Sequence, residues 1–172
     1  MRQETSQVLS GQVIITKPKP LIIRNVVIEH LQPAQLHAQW AWLKRGALDI
    51  LEMVQDHTEW VPEDLYAALR YPQASNCMCF ICSRNHKALG WMTVELQSTK
   101  YGKLECFVWC GWSIPPAERD PGDDVDGARD QLHEYVKIWA KSQGCHRVTC
   151  LSSRPLEYIG WVKGHTVFYL PL

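Results

Sequence analysis

The sequence predicts an α/β (α+β) domain on one mostly antiparallel sheet, and three observations lead there. Three short apolar runs, Cys77 to Cys82, Leu89 to Leu96 and Leu104 to Trp112, follow one another across tight polar connections, and strands joined that closely pair antiparallel. Two stretches with apolar residues at three- and four-residue steps precede them, and a third follows, leading into a further strand. A chain of 172 residues that is 46% apolar suits a single domain with a core that needs no staples.

Taken in order, residues 1–20 are polar, with Gly11 and the Lys17-Pro18-Lys19-Pro20 run. That composition favours extended backbone and cannot enter a sheet interior. It reads either as a loose terminus or as an extended N-terminal arm that docks on a neighbour, ahead of one domain over 21–172. Leu21 to Ile28 is β-branched and reads as the first strand. Leu36, Trp40, Leu43, Ala47, Ile50 or Leu51 and Val54 then recur with helical spacing, and Pro33 suits that helix's first turn. A second helix starts at Pro62-Glu63-Asp64, turns Leu65, Ala68 and Leu69 inward, and stops before Tyr71-Pro72.

The three central strands are joined by Arg84-Asn85-His86-Lys87 and by a Tyr101-Gly102-Lys103 turn. After an acidic loop, Leu132, Val136, Trp139 and Ala140 mark a helix over about 130–143, closed by Gly144 as its C′ residue. His146 to Ser152 reads as a strand, Arg154 to Tyr158 as a short segment and Thr166 to Leu170 as a last strand. The element order is therefore β-α-α-β-β-β-α-β-short-β on one sheet.

Composition excludes several classes of function. Lys plus Arg equals Asp plus Glu at 18 each, so the chain lacks the basic face that phosphate neutralisation on nucleic acid needs. No apolar run reaches membrane-spanning length and the first twenty residues lack a signal peptide's apolar core, which leads us to expect a soluble, cytoplasmic protein without membrane partners. Seven cysteines suit no secreted disulfide framework. Cys77, Cys79, Cys82 and His86 have the chemistry of a zinc site, but they lie along a strand-like run in which Cys79 and Cys82 face opposite ways, so no metal is expected.

The order of elements resembles the GNAT N-acetyltransferase fold over about residues 21–172. The run Ile138 to Val148 is similar to that family's third helix entering its fifth strand, and Arg154-Pro155 with Gly160-Trp161 is similar to its C-terminal ending. The Trp-rich first helix, Pro62-Glu63-Asp64-Leu65 and the Trp139-Ala140 to Gly144-Cys145 run also look like phage-encoded GNAT-like proteins. The resemblance implies a mixed, mostly antiparallel central sheet with helices on both faces. It also implies acetyl-CoA as the family's cofactor, its diphosphate held by a glycine-rich turn at the third helix's N-terminus.

That turn departs from the family's pattern. One alignment puts Asp124, Gly127 and Arg129 on the three motif positions, and another puts Arg119, Gly122 and Asp124 there. Either way a carboxylate stands where bare backbone is wanted. Residues 118–130 carry six carboxylates against two arginines, a formal charge of −4. Two unit charges about 4 Å apart repel by roughly 4 kcal/mol at an effective dielectric near 20, so each carboxylate left beside the diphosphate weakens binding on the order of tenfold or more. The same acids also solvate a loop and favour the positive end of the following helix.

For an active enzyme, the resemblance makes Glu105 the candidate base and Tyr158 the candidate acid, although Glu105 also reads as a solvent-facing strand residue and Tyr158 as a packing aromatic. Cys110 and Cys150 are weaker candidates as nucleophiles, since no histidine or aspartate partner is suggested. Trp40, Trp91, Trp109 and Trp139 fall on core faces, whereas Trp42, Trp60, Trp112 and Trp161 are harder to bury together. The resulting expectation is a non-catalytic GNAT-like scaffold without a cofactor, a tailed-phage virion component docked through its arm to portal, tail or internal-core neighbours in a multi-copy assembly, located in the virion and host cytoplasm. The alternatives are an N-acetyltransferase with an atypical acetyl-CoA loop and a phage effector that binds a host protein.

Overall fold

A computed structural model describes residues 20–23, 25–54 and 60–150. The described strands form one six-stranded sheet in sequence order. They are β1 (Leu21–Ile23), β2 (Val26–His30), β3 (Cys77–Arg84), β4 (Lys87–Ser98), β5 (Leu104–Ser113) and β6 (Val148–Cys150). The first four pairings are antiparallel and β5 pairs with β6 in parallel. The helices are α1 (Pro33–Val54), α2 (Pro62–Arg70), the short α3 (Pro72–Ser75) and α4 (Val125–Ser142).

The expected first strand is two strands. Ile23 pairs with Val26 across a two-residue turn in which Asn25 takes φ 65°, a conformation asparagine tolerates better than β-branched neighbours do. The connection from β3 to β4 works the same way, with Asn85 at φ 49° and His86 at φ 64°, both central residues left-handed as a tight hairpin requires. Gly102 at φ 73° and Gly144 at φ 85° take the turn and helix-end positions expected of them.

Side-chain alternation along the strands sorts the core into two layers. Phe80 lies against Tyr135 and Trp139 of α4, with ring centroids 5.4 and 5.1 Å away. Its cross-strand partner Met92 shares that face. Ile81, Cys79 and Cys77 of β3 pair with Trp91, Thr93 and Glu95 of β4 on the opposite face, which α1 and α2 cover. Helices thus lie on both faces, as the fold class requires.

α4 starts at Val125, five residues before the expected position. Val125 and Ala128 are buried at 3% and 0%, so its first turn packs on the sheet as well. α2 keeps its expected bounds, with Asp64 accepting from the Val61 amide at 2.9 Å. Trp112 corrects its expected exposure. It is buried at 8%, its indole N–H donates to Asp49 at 2.8 Å, and its ring meets Trp42 edge-on at 5.6 Å. Trp91 and Trp139 are buried as expected, while Trp40, Trp42, Trp60 and Trp109 are half-buried. Among the described residues no helix is long and apolar enough to cross a membrane. The arm over 1–19, the short segment and last strand after 150, Tyr158 and Trp161 lie outside the described residues.

Gly46 of α1 is where helix and sheet come closest. A Cβ there would stand 2.8 Å from the Trp112 ring and 2.9 Å from the Trp91 indole nitrogen. Gly46→Ala therefore overpacks a dry contact and is expected to destabilise the chain by about 1–3 kcal/mol despite alanine's better helix propensity. A urea unfolding midpoint that does not fall would overturn that account.

Candidate active site

The ladder between β4 and β5 carries one extra residue. Thr93 pairs with Cys110 and Val94 with Val108, leaving Trp109 unpaired as a bulge. Bulges re-aim side chains. Trp109 turns toward Trp60, just ahead of α2, at 5.8 Å between ring centroids. On its other side, among the described residues, β5 pairs with β6 over Cys106–Val108. β5 runs on from Trp109 to Ser113 past the described end of β6.

Beyond the end of β5 comes the acidic segment, held by cations from elsewhere in the fold. A short 3₁₀ turn at Pro116–Glu118 brings Glu118 to Arg45 of α1 in a two-pronged ion pair. Lys87, at the start of β4, reaches Asp120 and Asp123 at 2.6 Å each, and Arg84 donates to the Gly122 carbonyl at 3.5 Å. Asp123 also accepts from the Asp120 amide at 2.8 Å, closing the turn. Arg129 lies 3.2 Å from Asp126 and 3.3 Å from Asp130.

With Arg45, Arg84 and Lys87 counted, the local charge of −4 becomes −1. The hydrogen bond from Lys87 holds the Asp123 carboxyl below its usual range, and that from Arg45 does the same for Glu118. Depressed carboxyl groups stabilise above their ordinary titration range and lose that contribution as pH falls through the lowered value. These ties therefore hold at neutral pH and loosen only in acid.

Asp124 caps α4. Its carboxylate accepts from the Gly127 amide at 2.9 Å, satisfying one of the helix's free donors. It fills the space a side chain on Gly127 would need, since a Cβ there would lie 2.2 Å from the carboxylate. The amides of Val125 and Asp126 have no acceptor among the described residues. The three residues aligned on the family's motif thus divide their tasks, with Asp124 and Gly127 forming the cap and Arg129 bound to its own helix's carboxylates. The two free amides at the start of α4 fit an anionic group such as a diphosphate, with the Asp124 carboxylate as a competitor at the helix end.

Glu105 projects on the α1–α2 face near the start of β5, paired with Arg147 at 2.7 Å. Burial raises every thiol along the sheet. Cys79, Cys82 and Cys106 are pushed up to about 12, Cys145 to about 11, and Cys77, Cys110 and Cys150 are raised too. Such thiols stay protonated at neutral pH and make poor nucleophiles. Among the described residues no group of three or more His, Cys, Asp or Glu side chains is placed to hold a metal ion.

No family model and no curated protein matches this chain. Solved structures do. An aminoglycoside acetyltransferase from an uncultured soil metagenomic sample, solved with sisomicin, superposes with a TM-score of 0.60 at 16% identity over 86% of this chain and 97% of its own. Aminoglycoside N-acetyltransferase AAC(6')-Iy, solved with CoA, gives 0.60 at 16% over 88% and 98%. A GNAT family acetyltransferase of Staphylococcus aureus subsp. aureus USA300_TCH1516 gives 0.56 at 13% over 86% and 99%. The chain has a GNAT-like fold.

These neighbours correct the scaffold reading. They are acetyltransferases, and nothing in the comparisons points to a virion component or a phage relation. The physical ground for that reading is also reduced, because the repulsion inferred from −4 along the chain meets only −1 in the folded loop.

Two variants test the loop's construction. Asp124→Ala removes the cap and is expected to destabilise the chain by about 1 kcal/mol, with Asp124→Asn retaining most of it in urea unfolding. Lys87→Gln leaves Asp120 and Asp123 without their cation, so limited proteolysis should cut the 119–124 segment faster than in the parent chain. Equal rates would mean that the ion pairs do not hold the loop.

Proposed function

We propose that this chain is an N-acetyltransferase that moves an acetyl group from acetyl-CoA to a primary amine. The observation that carries this reading is the Trp109 bulge in β5, on the strand that leads toward the N-terminus of α4, where the amides of Val125 and Asp126 have no acceptor among the described residues. The likeness to solved acetyltransferases supports it.

When bound, acetyl-CoA supplies an activated acetyl thioester. The amides of β5 between Trp109 and Ser113 would hold its amide-bearing arm, and those of Val125 and Asp126 would meet its diphosphate. The bulge sets the half-buried ring of Trp109 beside this stretch of β5, where it would keep water from the thioester end. On the α1–α2 face, strand carboxylates stand on the side from which an amine would approach, and one of them takes the proton the amine must lose. Glu105 was the expected base, yet in the resting fold Arg147 shares its charge.

Calorimetric titration with acetyl-CoA tests the reading. A saturable signal in the micromolar range that unacetylated CoA competes away is expected, with transfer of radiolabelled acetyl to an amine panel. A flat titration at millimolar cofactor would overturn it.

A further inference from the structure

On the α1–α2 face, burial along β4 falls from complete at Trp91 and Thr93 to partial at Glu95 and Gln97. Glu95 stands at that boundary, between Cys77 of β3 and Phe107 of β5 as its direct cross-strand neighbours. Its carboxylate is close enough to Cys77 to add to the lift that burial gives that thiol. It has no hydrogen-bond or ion-pair partner among the described residues. A half-buried carboxylate without a partner is an expensive thing to keep unless a cation comes to it.

The surroundings select which cation. Phe107 lies directly across from Glu95, and Trp109, next on the same face of β5, sits on the diagonal, at a spacing that long aromatic side chains bridge. Trp60 closes against Trp109, and all three rings are half-buried. Glu105 stands on the other diagonal, neutralised by Arg147, so the two carboxylates and one guanidinium leave this patch at −1. Aromatic faces and a net negative charge together favour an ammonium group attached to an apolar body.

Building on the acetyltransferase reading, we infer that Glu95 holds the acceptor's ammonium group and that Phe107, Trp109 and Trp60 form the wall for its apolar part. The acceptor class is accordingly an arylalkyl or alkyl monoamine. In the reaction, the ammonium group first gives one proton to the Glu95 carboxylate; the neutral amine then attacks the thioester carbon, and as the nitrogen–carbon bond forms and the carbon–sulfur bond breaks the second nitrogen proton passes to the departing thiolate.

The test uses the full chain without cofactor first. Phenethylamine should change the tryptophan emission saturably. Its neutral counterpart 2-phenylethanol should bind about tenfold or more weakly, the cost of losing one charge-assisted contact, and the wall-less polycation spermidine should bind more weakly than phenethylamine. Glu95→Gln should lose about tenfold or more for phenethylamine but not for 2-phenylethanol. Glu105→Gln, which frees Arg147 beside the patch, should lose clearly less than Glu95→Gln for phenethylamine and nothing for 2-phenylethanol. With acetyl-CoA present, Glu95→Gln should lower kcat/KM for phenethylamine while leaving the affinity for acetyl-CoA unchanged, and its thermal melt should match the parent's. Wild-type phenethylamine binding in Glu95→Gln, or an equal loss in Glu105→Gln, would overturn the inference. Amine binding intact in a chain that binds no acetyl-CoA would overturn the acetyltransferase reading and leave the amine site standing.

Discussion

Because β5 carries Trp109 as an extra residue, its pleat changes phase between Val108 and Cys110. Cys106 and Val108 share the α4 side with Leu96 and Val94, and in a regular strand Cys110 and Trp112 would follow them. The insertion sends both to the other face. Trp112 can then lie on Gly46 and donate to Asp49, and α1 is seated over this end of the sheet. The same insertion aims Trp109 at Trp60. Helix seating and aromatic wall both depend on that one residue.

The acidic segment shows why charge counted along a chain misleads. Arg45 is 73 residues from Glu118, and Lys87 is 33 and 36 residues from Asp120 and Asp123. Exposed pairs of this kind contribute little to stability singly. Their effect here is electrostatic and positional, since they cancel most of the local field and fasten the loop to the β3–β4 hairpin. What remains uncancelled is concentrated in the Asp124 cap, where a carboxylate already answers the helix dipole.

Much of the architecture was legible because it rests on periodicity. The bounds of α2, the three central strands and the glycines at 102 and 144 follow from pattern and turn chemistry alone. The break at Asn25 was hidden inside an unbroken β-branched run, since either conformation suits the flanking residues. The first turn of α4 was hidden by its acids, which mask the burial of Val125 and Ala128. Trp112 was misplaced because simple alternation cannot detect a bulge. At the site, Glu105 stood out by fold position, but its pairing with Arg147, 42 residues on, has no local signal. Glu95 was passed over because a lone carboxylate in an apolar strand looks like an ordinary strand residue until the partners of its neighbours are known.

The two ends of β5 thus meet opposite requirements. On the acetyltransferase reading proposed above, an anionic donor at its far end would need amides and little negative charge, and there the fold places three cations against the loop. Near its start, a cationic acceptor needs the reverse, and the fold leaves one carboxylate without a cation among the described residues. Six residues separate Phe107 from Ser113 along the strand, about 20 Å at strand rise. That is more than twice the screening length of about 8 Å at physiological salt, so the two fields hardly interfere. A single extended strand can therefore hold both regions at once, and the bulge between them lies where the two substrates would meet.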